Sequence, residues 1–296
     1  MMQVFNGSFV AIVTPMHEDG SVDFDSLSRL IEWHIESKTD GIVVVGTTGE
    51  SATLSVREHI EVIKKTVEFV DKRILVIAGS GSNSTAQAVE TTMESKIAGV
   101  DGCLLVTPYY NRPSQKGLIE HYIKIANSVD IPQILYNVPT RTSCDLLPET
   151  VEILSKHRNI VGLKEAIGDK ERINKAIKIS KKSSSEFSIL SGDDPTFLDL
   201  IQVGGHGVIS VAANVIPAQI AEICNLAKKN LKEARNLNER YKNLYNLCFI
   251  ESNPVPVKWM LNQMDLIQKY LRLPLVELDS IHKDNIKVEM RNLNLL

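Results

Sequence analysis

Short apolar, β-branched runs recur along the chain at even intervals: residues 8–14, 42–45, 74–78, 103–106, 133–137, 160–164, 188–191 and 207–211. Each has strand length and little alternation, the pattern of strands covered on both faces. Between most of them lie segments with apolar residues three and four apart, such as Leu27, Leu30, Ile31 and Ile35, or Val56, Ile60, Ile63, Val67 and Val70. That spacing predicts helices with one buried face. Ser55 and Glu58 open the second as a capping box. Another, with Ala86, Val89, Met93 and Ile97, ends before Gly99. Eight strand-helix units predict an α/β fold, a (β/α)8 TIM barrel, over residues 1–216. A doubly wound sheet would show fewer strands and a glycine fingerprint, and Gly79-Ser80-Gly81-Ser82-Asn83-Ser84 lacks the third glycine. Over residues 217–296 helical signals continue without strands, at 218–229, 233–247 and 256–263, predicting a C-terminal helical appendage, a common place for subunit contacts.

One residue breaks the apolar pattern. Lys164 is set into the run Ile160-Val161-Gly162-Leu163-Lys164-Glu165-Ala166. A buried ammonium without a partner costs several kcal/mol or gives up its proton, so Lys164 is expected to be either paired or neutral. A neutral lysine can attack a carbonyl and form an imine. The alternative is a structural ion pair, although neighbouring Glu165 points to the opposite face of a strand.

Composition narrows the field. With 33 basic and 36 acidic residues, and no basic cluster interleaved with aromatics, the chain carries no nucleic-acid footprint. The N-terminal residues 1–13 lack a basic n-region and a long apolar core, and no apolar run is long enough to cross a bilayer, so a cytoplasmic location is expected. Cys103, Cys144, Cys224 and Cys248 form no C-x-x-C pair and are expected to be reduced core residues; the histidines form no metal-binding array, so no metal is expected.

In such a barrel the working residues sit at the C-terminal ends of the strands. There the second run ends in Gly46-Thr47-Thr48-Gly49-Glu50-Ser51, which could cradle a carboxylate or be only a turn. The fourth leads into Thr107-Pro108-Tyr109-Tyr110-Asn111-Arg112-Pro113, and the fifth into Tyr136-Asn137-Val138-Pro139-Thr140-Arg141-Thr142. Tyrosines at strand ends are more often packing residues, but Tyr136 ends the strand before the one carrying Lys164, within reach of an amine adduct. Asp193 and Asp194 follow the seventh strand, where phosphate-gripping barrels place amides, and would repel a phosphate dianion. The substrate is therefore expected to be unphosphorylated.

Taken together, Gly46-Thr47-Thr48-Gly49-Glu50, Pro108-Tyr109-Tyr110-Asn111, the Tyr136 to Thr142 segment, Gly162-Leu163-Lys164-Glu165-Ala166 and Ser191-Gly192-Asp193-Asp194 resemble the dihydrodipicolinate synthase family of pyruvate-dependent lyases over nearly the whole chain. The resemblance implies condensation of pyruvate with L-aspartate 4-semialdehyde in lysine biosynthesis, with no cofactor. It implies an imine on Lys164, proton transfer by Tyr136 through Thr47 and a neighbouring subunit's copy of Tyr110, and pyruvate carboxylate binding by Thr48. Arg141 would receive the semialdehyde carboxylate, Gly192 and Ile209 would line the pocket, and the assembly would be a homotetramer, a dimer of dimers. Feedback-inhibited members bind lysine at positions matching Ser51, Ala52, Val56, His59, Asn83, Gln87 and Tyr109; here Val56 replaces a histidine and Gln87 a glutamate, which predicts weak inhibition. Two other readings remain open: a sugar-acid aldolase of the same superfamily, whose members generally lack an arginine matching Arg141, and a catalytically silent binding barrel.

Overall fold

The computed structural model describes residues 5–183 and 186–296; the N-terminal stretch read for a leader begins with residues 1–4, outside the described residues. Eight strands, β1 (Gly7–Ala11), β2 (Gly41–Val44), β3 (Leu75–Gly79), β4 (Gly102–Val106), β5 (Gln133–Asn137), β6 (Ile160–Glu165), β7 (Ser188–Ser191) and β8 (Gly207–Ser210), pair in parallel in sequence order and close β8 onto β1. The TIM barrel expected from the eight runs is thus the fold. Nearly every strand residue is buried because helices cover the outside and side chains fill the inside. Phe9, Val43, Ile77, Leu104, Leu190 and Ile209 belong to the inner filling.

The outer ring comprises α1 (Phe24–Glu36), α2 (Val56–Val70), α3 (Thr85–Ala98), α4 (Gln115–Ser128), the short α5 (Pro139–Thr142), α6 (Pro148–Leu154), α7 (Lys170–Lys182), α8 (Phe197–Gln202) and α9 (Pro217–Lys229). The Ser55–Glu58 capping box opens α2 as expected. In α3 the bounds hold but the expected face does so only in part: Val89 packs half-buried against the core. Ala88, Thr92 and Ser95 turn inward, whereas Met93 and Ile97 stand 37% and 67% exposed. Small and hydroxyl side chains suit this contact because Thr92 hydrogen-bonds Ser80 at 2.8 Å and Ser95 returns its proton to the Thr91 carbonyl at 2.7 Å.

The expected boundary after residue 216 falls at the start of α9, which packs on β1 and α8 in the barrel's ring. Beyond it come α10 (Leu231–Glu239), α11 (Lys242–Leu247), α12 (Val255–Gln263) and α13 (Ser280–Asn292). The continuous helical signal over 233–247 breaks at residues 240–241, and α13 was not anticipated; Asp279 caps it, and Ile286 and Met290, four apart, anchor it. No described helix is long and apolar enough to cross a membrane. The four cysteines are buried and unbridged.

Candidate active site

At the C-terminal mouth of the barrel a cavity of about 680 Å³ is lined by Thr47, Thr48, Tyr136, Arg141, Lys164 and Gly192, among others. Lys164 enters it from β6 and is 5% exposed. Burial pulls its pKa down to about 7; the Asp194 carboxylate opposes that shift, and the Arg141 charge reinforces it. A substantial neutral fraction therefore exists at neutral pH, which is what a nucleophilic amine requires. Among the described residues no carboxylate lies within ion-pairing distance of Lys164, and the lowered pKa fits the neutral of the two expected states. Glu165, on the other face of β6, is bound instead to Arg172 at 2.7 Å.

Tyr136 stands opposite Lys164 across the β5–β6 pair, and the ammonium nitrogen lies 4.2 Å from the centre of its ring. Burial pushes the phenol up to about 12, while the Arg141 charge and a hydrogen bond with Thr47 restrain the rise. The phenol therefore keeps its proton at neutral pH and can act as a donor there. A Cβ at Gly192 would stand 2.8 Å from Lys164 Cε, so a side chain there would displace the end of the lysine. The Gly192 backbone walls the lysine directly.

The loop after β2 folds back through turns from Gly49 and Ser51 to the Gly46 carbonyl, with Glu50 in the left-handed region at φ 55°. Asn253 Nδ2 donates to Thr48 Oγ1 at 3.0 Å, which occupies an acceptor lone pair and leaves the threonine proton to be donated elsewhere. Glu50 is tied to Lys258 at 2.6 Å and to the Arg272 amide at 3.2 Å. Arg272 also donates to the Thr53 and Gly20 carbonyls and to Glu58, so the C-terminal helical region fastens the loop carrying Thr47 and Thr48.

Asn253 and Lys258 were missed in the sequence. Lys258 interrupts the apolar run Val255-Pro256-Val257-Lys258-Trp259-Met260-Leu261, the same signal that singled out Lys164. Asp194 was expected only to repel anions. Its Oδ2 accepts the Val211 and Ala212 amides at 3.0 and 2.9 Å, so amides that grip phosphate in other barrels are already occupied.

Two expected residues lie elsewhere. Ile209 belongs to the apolar filling inside the barrel and is not part of the cavity wall; Val211, two residues on, is. Tyr110 is 91% exposed at φ 73°, outside the cavity of its own chain. A neighbouring cavity of about 420 Å³ gathers Ser51, Ala52, Val56, His59, Gln87 and Tyr109. Asn83 is not in its wall but donates to the Tyr109 carbonyl at 3.2 Å. His59 Nε2 meets the Gly79 carbonyl at 2.8 Å, so that nitrogen carries the proton and Nδ1 remains an acceptor in the neutral ring, which burial favours. Thr47, Arg141 and Asn253 border both cavities.

The model of the dihydrodipicolinate synthetase family matches residues 4–293. The chain belongs to that family. It is 52% identical to the 4-hydroxy-tetrahydrodipicolinate synthase of Stutzerimonas stutzeri, with 98% of this chain and 99% of the relative aligned. Among solved structures of the family, the chloride-inhibited dihydrodipicolinate synthase of Acinetobacter baumannii, complexed with pyruvate, superposes with a TM-score of 0.95 at 46% identity, covering 98% of this chain and 99% of the other. The enzyme of Cyanidioschyzon merolae with lysine bound superposes at 0.94 and 37% identity, covering 99% and 100%.

Proposed function

We propose that this chain is a 4-hydroxy-tetrahydrodipicolinate synthase, condensing pyruvate with L-aspartate 4-semialdehyde. The observation that carries the reading is the buried Lys164 amine, held near neutrality beside the Tyr136 phenol in a cavity that also presents two threonines and an arginine. The amine adds to the pyruvate carbonyl and expels water, giving an imine. Loss of a methyl proton gives an enamine; its carbon attacks the aldehyde, and the amine of the second substrate displaces Lys164 as the ring closes. Tyr136 carries the protons, relayed through Thr47. Thr48, with its hydroxyl proton free of Asn253, holds the pyruvate carboxylate, and Arg141 at the rim receives that of the semialdehyde.

The occupied amides after β8 agree with unphosphorylated substrates. Tyr110, projecting from its own chain, completes the relay of a neighbouring subunit in a cytoplasmic homotetramer, and the smaller cavity beside Tyr109 is the place where lysine would act as an inhibitor. Incubating the protein with pyruvate and borohydride should add one reduced pyruvate unit at Lys164, and adding the semialdehyde should give the ring product. A label elsewhere sinks the lysine mechanism. Turnover with a sugar-derived aldehyde but not the semialdehyde would instead establish an aldolase of the same superfamily.

A further inference from the structure

The strands carrying Tyr136 and Lys164 are paired irregularly. β5 and β6 match Gln133 with Ile160 and then Ile134 with Gly162, leaving Val161 as an extra residue in β6. Without it, the pairing that begins at Gln133 and Ile160 would set Tyr136 opposite Leu163. With it, Tyr136 stands opposite Lys164, and Asn137 opposite Glu165. A slip of one residue turns every side chain of a strand to the other face. The alignment of phenol and amine therefore depends on whatever fixes the register at this end of the pair.

On the outward face of that same end, Asn137 Nδ2 donates to Glu165 Oε1 at 3.0 Å and to Asp145 Oδ1 at 3.0 Å, and Asn137 Oδ1 accepts the Leu146 amide at 2.9 Å. Arg172 Nε donates to Glu165 at 2.7 Å and its Nη1 to Asp145 at 2.9 Å, while the Ile167 amide holds the other Glu165 oxygen at 3.1 Å. Asn137 and Glu165 are buried, and none of these four side chains lines the substrate cavity. A buried, hydrogen-bonded network of this kind specifies one arrangement.

We infer that Glu165 is a positioning residue: its hydrogen bond to Asn137, braced by Arg172 and Asp145, clamps β5 to β6 in the shifted register that sets Tyr136 against Lys164. The inference rests on Lys164 and Tyr136 being the reacting pair. Misplacing a group by about 1 Å can lower turnover on the order of 100-fold even when the change lies away from the chemistry.

Two substitutions separate reach from charge. Glu165→Asp keeps the charge facing Arg172 but withdraws the carboxylate from Asn137 by one methylene. Glu165→Gln keeps the reach and one acceptor oxygen for Asn137, gives up the bond from Arg172 Nε because the amide NH2 cannot accept, and leaves Arg172 with Asp145 as its counter-charge. Glu165→Asp should lower kcat by about 10- to 100-fold while the KM for pyruvate and the final extent of borohydride-trapped imine at Lys164 stay within about threefold of the parent. Glu165→Gln, which keeps the bond to Asn137, should retain clearly more of kcat than Glu165→Asp. Asn137→Ala cuts the same tie from the other strand, and combined with Glu165→Ala it should lower kcat by less than the product of the two single effects, because the two share that interaction. If Glu165→Asp does not fold, Asn137→Ala carries the same expected split. Parental kcat in Glu165→Asp or in folded Asn137→Ala overturns the inference. So does a Gln variant as impaired as the Asp variant, or a loss of trapped imine equal to the loss of kcat. If the parent protein traps no pyruvate at Lys164, the reading of the reacting pair fails first and takes this inference with it.

Discussion

Two lysines are buried at the top of this barrel, and they differ in what they face. Lys164, on β6, is 5% exposed and held near a pKa of 7 with an aromatic ring 4.2 Å away. Lys258, on α12, is 0% exposed, yet its ammonium lies 2.6 Å from Glu50 and donates to the Thr14 carbonyl at 3.0 Å. Burial lowers the pKa of both; for Lys258 the Glu50 charge and hydrogen bond pull the other way. Desolvation alone therefore does not make a nucleophile. Removing the counter-charge makes one, and supplying it makes a fastener for the loop that carries Thr47 and Thr48.

The largest effect expected on this contrast is from Lys164→Met, which should lower turnover by at least about 1,000-fold and abolish pyruvate-dependent borohydride labelling. The same change should stabilise the protein near neutral pH. With a folded pKa of about 7 against 10.5 for the free side chain, the unfolded chain binds the extra proton between those values. Parental stability then rises with pH by up to about 1.4 kcal/mol per unit across that window. The advantage of the Met variant should be full below pH 7 and fade toward 10.5. Urea midpoints measured at several pH values check this, and a gap independent of pH breaks the contrast.

Lys258→Met should behave in the opposite way, because it leaves Glu50 buried without its partner and should cost about 3–5 kcal/mol of stability. Adding Glu50→Gln should restore most of that loss. The folded fraction of Lys258→Met should still be labelled by pyruvate at Lys164. Loss of labelling with the fold intact would mean that both lysines belong to the chemistry.

How much of this was legible in the chain follows from the range of each interaction. The strands, the α2 cap and the residues at the strand ends are set by local pattern, so Lys164, Tyr136, Thr47, Thr48, Arg141 and Gly192 could be singled out, and the structure gathers them around one cavity. Interactions between distant segments were not legible. Lys258 carries the same local signal as Lys164, but its partner is Glu50, 208 positions away, and nothing near either residue announces the pair. The inner face of α3 was only partly read for a related reason: a helix that approaches the barrel through Ala88, Thr92 and Ser95 leaves Met93 and Ile97 outside. Ile209, carried over from the family, is buried in the barrel filling.

Arg141 sharpens the contrast at the cavity rim. Its charge is one of the influences that lower the Lys164 pKa, and the residue lines the same cavity. Arg141→Ala should reduce kcat/KM for the semialdehyde by an amount worth about 2–4 kcal/mol. Imine trapping with pyruvate should persist, and its pH profile should move upward as Lys164 regains basicity. Equal damage to both half-reactions would make Arg141 a structural residue.

The smallest effect concerns the second cavity, where position 87 carries an amide rather than a charge. Gln87 accepts the Ser82 hydroxyl proton at 2.9 Å, but as an amide it offers a lysine ammonium no charge-assisted bond. Such bonds contribute about 1.5–3 kcal/mol, so inhibitor affinity should be roughly tenfold or more below that of a site with a carboxylate at this position. Val56 could be explained as part of the apolar stripe of α2, but Ile60 and Ile63 are buried while Val56 stands 61% exposed against this cavity. Core packing therefore does not require valine there, and a histidine could replace it without disturbing the helix. Titrating L-lysine into the assay decides the matter. Half-inhibition at submillimolar lysine would refute weak feedback, whereas Gln87→Glu combined with Val56→His should increase sensitivity while leaving pyruvate trapping at Lys164 as it was.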